Sequence, residues 1–94
     1  MTLLQDSEIA DFVSRSPWKR DGDQLLRSHK AESARQAIEQ FAAIAEAAEE
    51  AQHHPELTWV YDRLELTLST HDEGGITERD VALAQRIDAI LESK

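Results

Sequence analysis

Apolar residues recur along this chain with two different periods, and each change of period marks an element. Ile9, Phe12 and Val13 stand at i, i+3 and i+4 between about Asp6 and Arg15, and Pro17 follows. That spacing predicts a short helix stopped by the proline. Trp18 to Leu26 reads as a hairpin turning at Asp21-Gly22, a favoured turn pair, with arms Trp18-Lys19-Arg20 and Gln24 to Ser28. The helical period is clearest from about Glu32 to Gln52, where Ala34, Ile38, Phe41, Ala45 and Ala48 form one stripe with Phe41 at its centre. Ala37, Ala42, Ile44 and Ala51 widen the stripe to roughly half the circumference or more. Alanine favours helix on any face, which explains the width without a contact. Alternatively, part of the arc meets another subunit, and Ala47 and Ala51, nearer its edge, are the positions expected to do so.

Pro55 closes this helix, because proline disfavours helical geometry at the preceding His54. Leu57 to Tyr61 and Arg63 to Thr70 then read as strands with a tight connection at Asp62. In the second of them Leu64, Leu66 and Leu68 face one way, and Glu65, Thr67 and Ser69 the other. Gly74-Gly75 breaks the chain, and Thr77-Glu78-Arg79-Asp80 is a capping box. It opens a final helix that buries Val81, Leu83, Ala84, Ile87, Ile90 and Leu91. Strands joined by tight turns pair antiparallel. The order α-β-β-α-β-β-α therefore predicts an α+β fold, a four-stranded antiparallel sheet with helices packed on one face. With 94 residues, residues 1–94 are expected to form a single domain.

Composition narrows the function. Asp and Glu number 19 against 10 Lys and Arg, a formal net charge of -9. Such a surface argues against nonspecific binding to nucleic acid or an anionic membrane, both of which want basic patches. The chain has no cysteine, which removes disulfides, thiolate zinc sites and thiol nucleophiles. The run Phe41 to Ala48 is too short to span a bilayer and carries Glu46. Met1-Thr2-Leu3-Leu4-Gln5-Asp6 lacks the basic and apolar regions of a secretory signal, so a cytoplasmic location is expected.

The chemistry gathers between Glu49 and Asp80. Three of the four histidines lie there, His53 and His54 at a helix exit and His71 at a strand exit. Histidine has an unperturbed pKa of about 6.5, so three of them beside carboxylates suit proton transfer. Glu49 and His53 are i, i+4 neighbours, which suits a carboxylate–imidazole hydrogen bond, or simply a surface pair. His71 lies on the Thr67/Ser69 side of its strand, away from the leucines, as an ordinary exposed residue would also do. Asp80 is the N3 residue of the capping box and serves the helix whatever else it does. Zinc is the rival chemistry, but the spacing has neither HxxxH nor HxH, and adjacent helical residues point about 100° apart. Neither a phosphate-binding loop nor a G-x-S-x-G element is present.

These residues resemble the signature of the pterin-4a-carbinolamine dehydratase family. That signature is an acidic residue, three residues, His-His-Pro, an aromatic, a histidine and an aspartate. Here the positions are Glu49, His53-His54-Pro55, Tyr61, His71 and Asp80, with Thr70-His71, Gly75-Ile76-Thr77 and Arg79-Asp80 also in register. Trp18 stands where the family has a pocket tryptophan, whereas His29, Ala31 and Ala34 replace its usual phenylalanines. The resemblance implies the α+β sheet already described and a homo-oligomer, commonly a tetramer built through helices and sheet edges. It implies dehydration of 4a-hydroxytetrahydropterin to quinonoid dihydropterin, the recycling step after aromatic amino-acid hydroxylases, with no metal or organic cofactor. Carried onto this chain, it assigns proton transfer to His53 and His71. Glu49 is expected to orient His53 and Asp80 to orient His71, with His54 and Trp18 holding the pterin. Some lineages of the superfamily resemble noncatalytic assembly chaperones or dimerisation cofactors. Those can lose the histidine set, which is complete here.

Overall fold

Leu64, Leu66 and Leu68, each no more than 1% exposed, are the floor of the core, and everything else is placed relative to the strand that carries them. The computed structural model describes residues 2–93. Its elements are α1 (Asp6–Ser14), β1 (Lys19–Asp21), β2 (Gln24–Lys30), α2 (Ala34–Ala51), β3 (Glu56–Val60), β4 (Arg63–Leu68) and α3 (Glu78–Glu92), with a 3-10 turn at His71–Glu73. The sheet is four-stranded in the order β1-β2-β4-β3, and every neighbouring pair is antiparallel. The α+β order read from the sequence is the one observed.

Paired residues on neighbouring strands share a face. Leu25, Arg27 and His29 of β2 lie opposite Leu68, Leu66 and Leu64 of β4 and so face the helices with them. Ile44 of α2 and Leu83, Ala84 and Ile87 of α3 close over this floor. A part-buried polar pair sits at its edge. Asp88 of α3 accepts hydrogen bonds from the Arg27 guanidinium and, at 2.8 Å, from Trp18 Nε1.

Two local expectations are displaced. The first hairpin turns at Gly22-Asp23 rather than Asp21-Gly22, since Asp21 pairs with Gln24. Gly22 has φ +59, which glycine adopts without steric cost. The second difference is larger. The buried face of α2 is Ala37, Gln40, Ile44, Ala47 and Ala48. Phe41 is only partly buried, Ile38 is 39% exposed, and Ala42 and Ala45 are exposed. Of the expected stripe, Ala48 lies on the buried face and Phe41 packs partly against the core, while Ala34, Ile38 and Ala45 form a flank beside it. Ala47, expected at a subunit contact, is 2% exposed and belongs to the core. Alanine occupies both arcs of this helix, so the apolar pattern alone did not distinguish them.

Candidate active site

The site forms where α2, β4 and α3 all end or begin. Ser33 caps the start of α2 by accepting from Gln36 N. The helix ends at Gln52, whose backbone is left-handed at φ 52, ψ 42. This reversal sends the next two side chains in different directions. His53 turns inward and is 7% exposed, while His54 stays in solvent.

His53 meets a carboxylate prepared by the start of α3. Thr77 and Asp80 form the capping box there, and Asp80 is fully buried. Asp80 Oδ2 accepts from Thr77 N at 2.9 Å and from Thr70 Oγ1 at 2.8 Å. Asp80 Oδ1 is left for His53 Nε2, which lies 2.5 Å away. Thr70 spends its hydroxyl proton on Asp80, so the 2.8 Å contact between the two threonine hydroxyls is donated by Thr77. Asp80, with these donors around it, fixes the His53 tautomer with the proton on Nε2. Nδ1 is then the ring atom free to exchange a proton.

The partners differ from those expected. Glu49 was assigned to His53, but its Oε2 accepts from His54 Nε2 at 2.9 Å. The i, i+4 rule does not apply, because His53 lies beyond the helix end. That hydrogen bond from His54, with a second from Gln52, holds the Glu49 carboxyl below the usual glutamate range. Asp80 was assigned to His71, but it binds His53. His71 opens the 3-10 turn after β4 and is exposed.

Gln52, His53, His54, Ser69, Thr70, His71, Asp72 and Arg79 line one cleft of ≈ 240 Å³. A neighbouring hollow of ≈ 350 Å³, lined by Asp21, Asp23, Gln24, Ser69, His71 and Gly74, adjoins it through Ser69 and His71. All three signature histidines therefore reach the same cleft. Trp18, expected to hold a ligand, lines neither hollow. It is 1% exposed, and its ring nitrogen is bound to Asp88 on the helix side of the sheet. Among the described residues, no three His, Cys, Asp or Glu side chains gather closely enough to hold a metal ion. The sequence placed Thr70 and Arg79 in the signature without giving either a role, and it did not single out Gln52. Arg79 Nη2 donates to Gln52 O at 2.7 Å, a contact across 27 positions that no local spacing signals.

Comparison with known proteins identifies the family and the fold. The sequence profile described as "Pterin 4 alpha carbinolamine dehydratase" matches residues 2–90. A protein of Thermomicrobium roseum described as "Putative pterin-4-alpha-carbinolamine dehydratase" is 46% identical, over 93% of this chain and 95% of its own length. A protein of Natronomonas pharaonis with the same description is 44% identical, over 95% and 96%. The crystal structure of a transcriptional coactivator/pterin dehydratase from Brucella melitensis superposes with a TM-score of 0.90 at 32% identity, covering 96% of this chain and 99% of that one. A pterin dehydratase-like protein identified as a RuBisCO assembly factor in the alpha-carboxysome superposes with a TM-score of 0.71 at 26% identity, covering 84% and 94%. By sequence profile, close relatives and fold, this chain belongs to the pterin 4 alpha carbinolamine dehydratase family.

Proposed function

We propose that the chain dehydrates 4a-hydroxytetrahydrobiopterin, or a closely related 4a-hydroxytetrahydropterin, to quinonoid dihydropterin in tetrahydrobiopterin recycling. The observation that carries this reading is the buried His53–Asp80 pair opening on a cleft that His71 also lines. The substrate's C4a hydroxyl is a poor leaving group. A proton delivered to its oxygen lets the C4a–O bond break with loss of water, while the N5 proton passes to a base and the C4a–N5 double bond forms. The reaction needs one acid and one base, and it consumes neither oxidant nor reductant. His53, held by Asp80, and His71, free at the mouth, fill these two roles. His54, braced by Glu49, binds the pterin at the rim. Trp18, bound to Asp88 in the core, takes no part in this site.

The setting this reading supposes is a cytoplasmic homo-oligomer. Among the described residues no helix is long and apolar enough to cross a membrane. A second reading, a noncatalytic assembly factor, draws on the likeness to the RuBisCO assembly factor. The two separate in a direct assay of carbinolamine disappearance. His53→Ala and His71→Ala are each expected to lower turnover by about 10²-fold or more. If both retain wild-type turnover, or the wild type has none, the dehydratase reading fails and the assembly reading takes its place.

A further inference from the structure

Gln52 stands at the junction that separates His53 from His54, in a conformation that residues with a Cβ rarely adopt. Glycine is the usual occupant of such a helix terminus. Here the glutamine is held at three points. Its backbone N–H reaches Ala48 O and Glu49 O, and its side-chain Nε2 donates to Glu49 O at 2.7 Å. Its carbonyl accepts from Arg79 Nη2 at 2.7 Å. The following residue, His53, donates its own N–H to Ala48 O at 3.1 Å. Arg79 is the neighbour of Asp80 in the first turn of α3, so one short segment grips His53 twice. Asp80 holds its ring, and Arg79 holds the peptide that precedes it.

We propose that Arg79 is a positioning residue for the histidine site, acting through the Gln52 carbonyl rather than on substrate. A planar guanidinium anchored on α3 fixes the rotation of the Gln52–His53 peptide. That rotation sets which way His53 points and how far the ring stands from Asp80 Oδ1. Misplacing a catalytic group by about 1 Å can lower a rate by roughly 10²-fold, so a backbone anchor here acts on the chemical step. The inference rests on the reading of His53 as a proton-transfer group, and it can be tested apart from that reading.

The experiment compares Arg79→Met and Arg79→Lys with Arg86→Met in the full chain. Arg86 also bridges α3 to α2, through Glu50, but is exposed and lines neither hollow. It therefore controls for loss of a cation between the same helices. Turnover of a 4a-hydroxytetrahydropterin generated in situ is measured beside the ¹⁵N resonances of the His53 ring, well below each variant's melting temperature. Arg79→Met is expected to lower kcat by about 10-fold to 100-fold with little change in KM, and to move the His53 resonances. Arg79→Lys keeps one donor and should fall between Arg79→Met and wild type, and it decides the matter if the methionine variant does not fold. Arg86→Met should leave both readouts at wild type. A raised KM with kcat intact would make Arg79 a substrate contact and overturn the proposal. Unmoved His53 resonances would overturn it too. If the wild type shows no turnover, the dehydratase reading fails, while the ring resonances still decide whether Arg79 positions His53.

Discussion

Asp80 has two duties in one carboxylate, and they separate by substitution. Asp80→Asn keeps an oxygen for the Thr77 N–H but turns an amide N–H₂ towards His53, a donor where the ring needs an acceptor. The imidazole must then change tautomer, and turnover is expected to fall by about 10²-fold with a small change in melting temperature. Asp80→Ala also removes the cap, at about 0.5–2 kcal/mol, and should melt earlier as well. Full turnover in Asp80→Asn, read against its thermal melt, would reduce Asp80 to a cap. The sequence made Asp80 visible but not its partner. Glu49 lies four residues before His53, and only the left-handed Gln52, which has no sequence signal, takes His53 out of that register. A different histidine contributes to acid stability. His29 faces the core from β2, and its Nε2 is buried with no hydrogen-bond partner among the described residues. Burial first, and the Arg27 cation second, lower its pKa from 6.5, with the Gln40 side chain opposing them. As pH falls from 6.5 towards that lowered value, the unfolded chain takes up a proton that the folded one refuses, so stability drops. His29→Phe removes this contribution. Its melting temperature should fall less than that of the wild type between neutral pH and the acid side of 6.5. Parallel acid slopes for the two proteins would contradict the assignment.

At the scale of elements, the best-read parts were those with a strict period. The leucines of β4 and the capping box of α3 stand where the pattern put them, because alternation and capping are local rules. β2 was legible only as part of a hairpin. Its core-facing side is Leu25, Arg27 and His29 while Leu26 faces out, so its polarity runs against its burial. Asp88, about 60 residues away, makes this arrangement tolerable by accepting from Arg27 and Trp18. The side chains of Arg27 and Asp88 are only 8% and 16% exposed. Asp88→Ala should therefore lower stability by about 3–5 kcal/mol, because it leaves a buried guanidinium with no counter-charge. An apolar pair, Arg27→Met with Asp88→Leu, should recover most of that loss. Urea unfolding of the two variants tests this, and a loss below about 1 kcal/mol in Asp88→Ala would show that water or another group already compensates Arg27.

The whole molecule carries apolar surface that its own core covers only in part. On α2 the flank of Ala34, Ile38, Phe41 and Ala45 follows helical spacing, with Ile38 39% exposed and Phe41 partly so. On the sheet, β3 is an edge strand, and at its end Trp59, Val60 and Tyr61 are 44%, 65% and 71% exposed. Exposed apolar stripes and open edges of this kind mark association surfaces. A homo-oligomer remains the expectation, but of the two positions the sequence offered only Ala51 is exposed, and Ala47 lies in the core. Ala47→Glu would place a charge in the core, and unfolding would hide any effect on assembly. Ala45→Glu and Ile38→Glu change exposed positions of the flank, and each should leave the melting temperature of the isolated subunit nearly intact. If α2 forms the interface, sedimentation at micromolar concentration should show the wild type as an oligomer and both variants as smaller species. Trp59→Lys tests the strand edge in the same way. A monomeric wild type would remove the oligomer altogether, and loss of assembly in Trp59→Lys alone would move the interface from the helix to the sheet.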